Sequence, residues 1–403
     1  MPTPEPWWAR DDLRYEQGRL MFCGHDVAAL AGAFAEPLFL YDARRLRHNV
    51  QRLHELLAGL GPPFRLYYAM KANRFRPLLC ELRQTPLHGL DVCSPEELRE
   101  ALACGWRPGQ LSYTAHGMMP EDAALLAALP EVHVNCDTLG AIRLLGEHSP
   151  GRRIGLRINP GIGIGYADSE RLSYAGAITT KFGIYREQFT EALALAAQHG
   201  LQVRWLHCHA GCGYLDAQLP SFERVLQVVA GFAERVPGLQ GVNLGGGLGL
   251  PHRPGDAALD LARWRSAVQA QLGGAGLEIA IEPGDFIAKD AGMLVLRVGY
   301  DEVKRDQRFV GLNGGFNLAV EPAFYDLPCE PVPCRPRPGP VAPATLAGNI
   351  NEALDIWAAE VALPPVAPGD FMALLNAGGY ASSMSSNHCL RGQFRELLLQ
   401  PDD

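Results

Sequence analysis

Phe64-Arg65-Leu66-Tyr67-Tyr68-Ala69-Met70-Lys71-Ala72-Asn73 is the stretch on which the fold turns. Its apolar and aromatic run reads as a buried strand that Asn73 ends. Lysine closes the run, and lysine is rare here: of 36 basic side chains only Lys71, Lys181, Lys289 and Lys304 are lysines. An ammonium at the end of an apolar strand is partly desolvated, which lowers its pKa toward the neutral, nucleophilic amine. Such an amine forms Schiff bases with carbonyl compounds. The plainer alternative is a lysine that snorkels at a strand end.

Outward from this stretch, short apolar runs alternate with amphipathic ones. Strands are expected at 38–41, 65–70, 87–92, 111–113, 132–135, 154–158, 203–207, 241–244 and 278–281, and helices at 44–60, 94–104, 137–146, 186–199, 222–236 and 258–272. Regular alternation of this kind means βαβ units around a parallel sheet. About eight units over roughly 250 residues is the size of a (β/α)8 barrel. That barrel is expected at 37–285. Beyond it the texture changes to Pro- and Gly-rich loops, as at 331–343, between strand-like runs at 293–298, 308–312 and 371–375. Residues 286–403 therefore read as a second, β-rich domain, joined by 1–36 with its apolar run 20–22.

Composition narrows the partners. A length of 403 residues with 47% hydrophobic content is too much for one compact unit unless that unit is a barrel. The net charge of −8 argues against nucleic acid or an anionic membrane surface. No stretch reaches membrane-spanning length, and residues 1–10 lack the basic and apolar regions of an export signal. Ten scattered cysteines without a CxxC pair fit reduced thiols in a cytoplasm.

Catalytic residues of such a barrel sit at the C-terminal ends of its strands. Those positions hold Lys71, Asp91, Arg157, Asn159, His207, His209, Gly245-Gly246-Gly247 and Glu282. A lysine, an imidazole, a triglycine that lets backbone N–H groups approach a phosphate, and a carboxylate for a pyridine nitrogen are what pyridoxal phosphate requires. His207 and His209, two residues apart on a strand end, also allow a metal site with His116 and Asp91. Only the cofactor uses the whole set.

Tyr68-Ala69-Met70-Lys71-Ala72-Asn73, Asp91-Val92-Cys93-Ser94-Pro95-Glu96-Glu97-Leu98, Lys181-Phe182-Gly183, His207-Cys208-His209-Ala210-Gly211, Gly245–Gly247, Glu282-Pro283-Gly284 and Gly378-Gly379-Tyr380 resemble, in this order, the pyridoxal-phosphate decarboxylases of the alanine-racemase fold (fold type III). The diaminopimelate, ornithine and lysine decarboxylases are the group most resembled. The resemblance implies a Schiff base on Lys71 and His209 against the cofactor ring. It also implies Glu282 at the ring nitrogen, Gly245, Gly246, Gly247 and Tyr380 at the phosphate, and Asp91 and Arg157 lining the site. It further implies a homodimer with shared active sites.

Three departures qualify it. The family's C-terminal Cys-Glu or Cys-Asp pair is matched by Asn351-Glu352, followed by Asp355, so the usual Cα proton donor is missing. His388, Cys389 and Tyr325 are the candidates to replace it. The family's Glu-Pro-Gly-Arg becomes Glu282-Pro283-Gly284-Asp285, which reverses a charge. A phosphate-side serine becomes Cys212, a weaker donor. An anionic distal group would be repelled at Asp285, whereas a distal ammonium could pair with Asp285, Glu352 or Asp355, with Tyr325 beside them. The expectation is a cytoplasmic decarboxylase of a basic diamino acid of the lysine or ornithine type, of either hand. Its rivals are decarboxylation of meso-diaminopimelate or of a conjugated diamino acid such as a siderophore precursor, racemisation, and a non-catalytic homologue that binds decarboxylases.

Overall fold

A computed structural model describes residues 6–61, 63–176 and 178–400; the extreme termini, including the start of the expected N-terminal segment, lie outside them. Eight parallel strands close into a barrel in chain order: β1 Phe64–Ala69, β2 Gly89–Val92, β3 Leu111–Tyr113, β4 His133–Cys136, β5 Arg153–Arg157, β6 Gln202–His207, β7 Gly241–Asn243 and β8 Glu278–Ile281. Closure is made by β8 against β1, with Ile279 opposite Phe64 and Ile281 opposite Leu66. The intervening helices start where short polar side chains can cap them. Ser94 Oγ accepts from the Glu97 N–H (3.1 Å) and Thr138 Oγ1 from the Ala141 N–H (3.0 Å). Two helices, Arg76–Leu82 and Pro120–Ala127, were absent from the sequence expectation; both are short, so few turns exist to display a period.

Alternation along the strands sorts the barrel interior into a plug and a working end. Tyr67, Trp205 and Ala280 form a separate apolar layer inside it. Below them Arg65 pairs with Glu278 (2.8 Å), and its guanidinium lies 5.1 Å from the Trp205 ring. Two residues further along the same strands come Ala69, His207 and Glu282. Period 2 thus carries each strand from plug to site.

The second sheet runs in the order Pro331–Pro333, Phe371–Leu374, Gly292–Lys304, Gln307–Leu312, Ala342–Ala347, Ile356–Leu363. The strand Leu38–Asp42, placed by sequence inside the barrel, belongs to this sheet instead, pairing with Gly292–Lys304 and Arg395–Leu399. Its five residues are all buried, and nothing local tells such a run which sheet it will join. The apolar run at 20–22 packs into the second domain's core without adding a strand to its sheet. It lies in a small antiparallel sheet of its own, Leu13–Glu16, Arg19–Phe22 and His25–Asp26, packed into one core with Leu38, Leu40, Met293 and Val295. No helix among the described residues is long and apolar enough to cross a membrane.

One loop of the second domain is clamped onto the lysine turn. The Tyr380 N–H and the Ser383 hydroxyl both donate to the Ala72 carbonyl (2.8 and 3.0 Å), and Asn73 Nδ2 donates to the Gly378 carbonyl (2.9 Å). Tyr380 holds a left-handed φ of 54°, unfavourable for a non-glycine residue, so the surrounding contacts over-determine it. Its hydroxyl lies 2.8 Å from where a side chain on Gly284 would begin.

The plug sets the first prediction. A methyl group on Gly241 would meet the Trp205 ring at 2.5 Å and the Glu278 carbonyl at 2.7 Å. Gly241→Ala is expected to destabilise the chain by about 1–3 kcal/mol in urea denaturation; an unchanged midpoint would mean the plug is not tightly packed.

Candidate active site

At the C-terminal end of the barrel, Lys71 follows β1 and Asp91 lies in β2. Lys71 Nζ donates to Asp91 Oδ2 at 2.8 Å; the carboxylate is fully buried while the lysine side chain is 39% exposed to the cavity. Burial would lower the Lys71 pKa, but the facing Asp91 carboxylate first, and then Cys93 and Glu282, together outweigh it and the net shift is upward. This corrects the sequence expectation of a depressed amine, because the partner charge is invisible in the local pattern. Asp91 itself is pushed up to about 7 by burial first and by Glu282 next, with Lys71 pulling the other way.

Glu282 follows β8 and is gripped by two neighbouring strand ends. His207 Nε2 lies 2.7 Å from Oε1, and Asn243 Nδ2 donates to Oε2 at 2.9 Å. Burial alone would raise the Glu282 carboxyl, but His207 first, and then Lys71 and His209, together override it and the net shift is downward, leaving the group ionised. His209, one residue pair beyond His207, is held down to about 3, chiefly by burial and then by Arg157 and Lys71, so its ring is uncharged near neutral pH. Tyr174 packs beside it, ring centroids 4.9 Å apart. Arg157 is buried with its guanidinium 4.7 Å from the Phe182 ring.

These groups line an inner chamber of about 330 Å³ that includes Lys71, Asp91, Arg157, His209, Gly246, Gly247, Glu282 and Tyr380. An outer chamber of about 360 Å³ shares Lys71, Tyr174, Cys212, Asp285 and Tyr380 with it and adds Arg74, Glu321 and Tyr325. Lysine thus stands at the junction. Gly245, with φ of 72°, donates its N–H to Asn243 Oδ1 (2.9 Å); Gly247 has φ of 93°. Side chains rarely adopt such conformations, so glycine is needed at both.

Several expected residues fall elsewhere. Asp355 is a structural carboxylate: it is buried and accepts the Phe316 and Ile350 N–H groups at 2.7 and 2.6 Å, and side chains on Gly315 or Gly348 would collide with it. Glu352 is at the surface, 3.2 Å from His388, and Asn351 and Cys389 are exposed too. None of these lines either chamber of this chain, whereas Tyr325 does. Asp285 is no free anion, since the buried Lys289 ammonium lies 3.2 Å from it. Cys212 is pushed up to about 12 by burial and then by Asp285, a neutral thiol. The metal alternative lacks its assembly. His116 pairs with Asp137 (2.7 Å), and among the described residues no group of three or more potential ligands is placed to hold an ion. Sequence reasoning missed Asn243, Tyr174, Lys289 and Glu321 as site residues. Asn243 was within reach as the last strand residue before the glycines, and Lys289 as one of four lysines; Glu321 carries no periodic signal.

The site fits a phosphorylated pyridine aldehyde. Asp91 Oδ1 and His209 Nδ1 are buried without a partner, and among the described residues the Gly246 and Gly247 N–H groups donate to no protein acceptor. A barrel with a lysine, an uncharged imidazole and a buried carboxylate at its strand ends fits a pyridoxal-phosphate enzyme of the fold type III class. Comparison with known proteins supplies the family. Residues 44–289 match the model of the pyridoxal-dependent decarboxylase pyridoxal-binding domain. The chain is 31% identical to the diaminopimelate decarboxylase of Methanothermobacter thermautotrophicus over 96% of this chain and 91% of that one. It is 29% identical to that of Streptomyces coelicolor over 93% and 87%. Among solved structures, diaminopimelate decarboxylase from Helicobacter pylori complexed with L-lysine superposes with a TM-score of 0.85 at 25% identity, covering 93% of this chain and 94% of that one. The M. jannaschii diaminopimelate decarboxylase superposes at 0.87 and 23% identity over 97% and 93%. The chain belongs to the pyridoxal-dependent decarboxylases.

Pyridoxal phosphate, when bound, supplies the electron sink that accepts the Cα–carboxylate bonding pair. The protein's share is placement. Lys71 would be the amine that holds the cofactor, with Asp91 fixing its position. Uncharged His209 would offer a flat face to the ring. Glu282, held by His207 and Asn243, would keep a proton on a ring nitrogen. Gly245–Gly247 and the Tyr380 loop would receive the phosphate.

Because Glu282 is depressed in the folded chain, it adds stability above the ordinary glutamate value of 4.5 and loses it as pH falls below that value. Cofactor-free Glu282→Gln should therefore show a flatter stability profile than wild type between about pH 5 and pH 3 in urea denaturation. Parallel profiles would mean that the His207–Glu282 pair adds nothing.

Proposed function

We propose that the enzyme decarboxylates a basic diamino acid of the lysine or ornithine type, whose α-amino group would displace Lys71 from the cofactor in the inner chamber while its side chain occupies the outer one. Asp285 carries this reading. The resembled enzymes have an arginine at that position, and here a carboxylate faces the outer chamber. Paired with Lys289, Asp285 presents no positive charge to hold a distal carboxylate, as in diaminopimelate, while its acidic edge still favours a distal ammonium. Of the candidates to replace the missing cysteine, Tyr325 is the one in the chamber. Ten cysteines without a disulfide among them support a reducing compartment such as the cytoplasm.

A homodimer completes the reading. Phe324 (47% exposed), Leu354 (44%) and Leu390 (82%) are large apolar residues left in water, and Phe316 bridges Phe324 and His388 with ring centroids 5.7 and 6.1 Å away. Such a patch beside the outer chamber suits a second copy, which would bring Asn351 and Glu352 toward its neighbour.

Two experiments test this. Purified protein is expected to show the visible absorbance of bound pyridoxal, absent in Lys71→Ala, and to release CO2 from lysine or ornithine of one hand. Faster turnover of meso-diaminopimelate than of either would overturn the substrate assignment. Light scattering should give a dimer that Leu390→Asp weakens; a monomeric wild type would remove the shared-site reading.

A further inference from the structure

The wall of the outer chamber contains a buried three-charge cluster that no motif announced. Lys289 is 1% exposed, and its ammonium lies 3.2 Å from Asp285 Oδ1 and 2.8 Å from Glu321 Oε1. Both carboxylates line the outer chamber; the lysine stands behind them. One ammonium between two carboxylates leaves a negative charge unmatched at a site largely removed from water, which is costly unless a cation or a proton joins it.

No other cation pairs with the two carboxylates among the described residues. Lys71 is paired with Asp91, and Arg74, on the same chamber's wall, donates to the Ser383 carbonyl (2.7 Å). The remaining carboxylate of the chamber, Glu97, is occupied by the Cys93 N–H (2.8 Å) and thiol. Glu321 opens the short helix Glu321–Tyr325, which also delivers Tyr325 to the chamber. Burial pushes its carboxyl up to about 7 against the pull of Lys289, with Asp285 adding to the rise. That is the behaviour of a cluster short of one positive charge.

We infer that Glu321, braced by Lys289 and Asp285, is the subsite for the substrate's distal ammonium and the residue that selects an amine over an uncharged side chain. This rests on the diamino-acid reading above and moves its discriminating contact from Asp285, Glu352 and Asp355 to Glu321. Lys289 is a positioning residue: it fixes both carboxylates and leaves room for one more cation.

The test uses holoenzyme and two readouts. Glu321→Gln keeps the shape of the side chain and removes its charge. For lysine and ornithine it is expected to raise KM by roughly 10- to 100-fold, the cost of one charge-assisted contact, and to affect KM more than kcat. The preference for lysine over norleucine should collapse, and Glu321→Asp should recover part of it. Independently of turnover, cadaverine and putrescine should bind wild type by calorimetry and bind Glu321→Gln at least about tenfold more weakly. Retained pyridoxal absorbance shows that each variant is folded and loaded. Equal loss for lysine and norleucine would reduce Glu321 to a structural role, and unchanged diamine affinity in Glu321→Gln would overturn the subsite. If wild type turns over none of the diamino acids yet binds diamines through Glu321, the substrate assignment fails while the subsite stands.

Discussion

Two carboxylates, Asp91 and Glu282, are buried in the end of a barrel, and the arrangement of the site follows from neutralising them. Asp91 takes the ammonium of Lys71; Glu282 takes the ring of His207 and the amide of Asn243. An unpaired buried carboxylate would be protonated or would disrupt the fold. Each partner is therefore both a structural counter-charge and a means of aiming a catalytic group. His209 is left uncharged by its burial first and then by the positive charges of Arg157 and Lys71 around it.

The second domain enters this frame through hydrogen bonds to the backbone and side chain of the lysine turn. The loop from Gly378 to Ser383 fastens to Ala72 and Asn73, directly after the lysine, and Tyr380 takes a left-handed conformation to reach its place over Gly284. A barrel alone would present Lys71 on a free strand end. Joined to the sheet domain, the lysine sits at the junction between an inner and an outer chamber. The outer chamber repeats the electrostatic theme with the opposite balance: Asp285 and Glu321 share Lys289 and are left one positive charge short.

Much of this was legible in the chain itself, because it is local. A strand of period 2 shows where it ends, and in a parallel barrel the residues at those ends converge on one site. Lys71, Asp91, Arg157, His209, Gly245–Gly247 and Glu282 could thus be gathered from positions alone, and the barrel from its alternating units. Tertiary structure decided what depends on long-range pairing. Leu38–Asp42 joins the second sheet because Gly292–Lys304 and Arg395–Leu399 are its neighbours. Asp355 is consumed by the N–H groups of Phe316 and Ile350, although its place in the motif suggested chemistry. Lys71 stays charged because Asp91, twenty residues away, faces it. Glu321 meets Lys289 across 32 residues. A side chain's type and phase are written in its own segment, but the charge it will face is set by which segment the fold brings opposite.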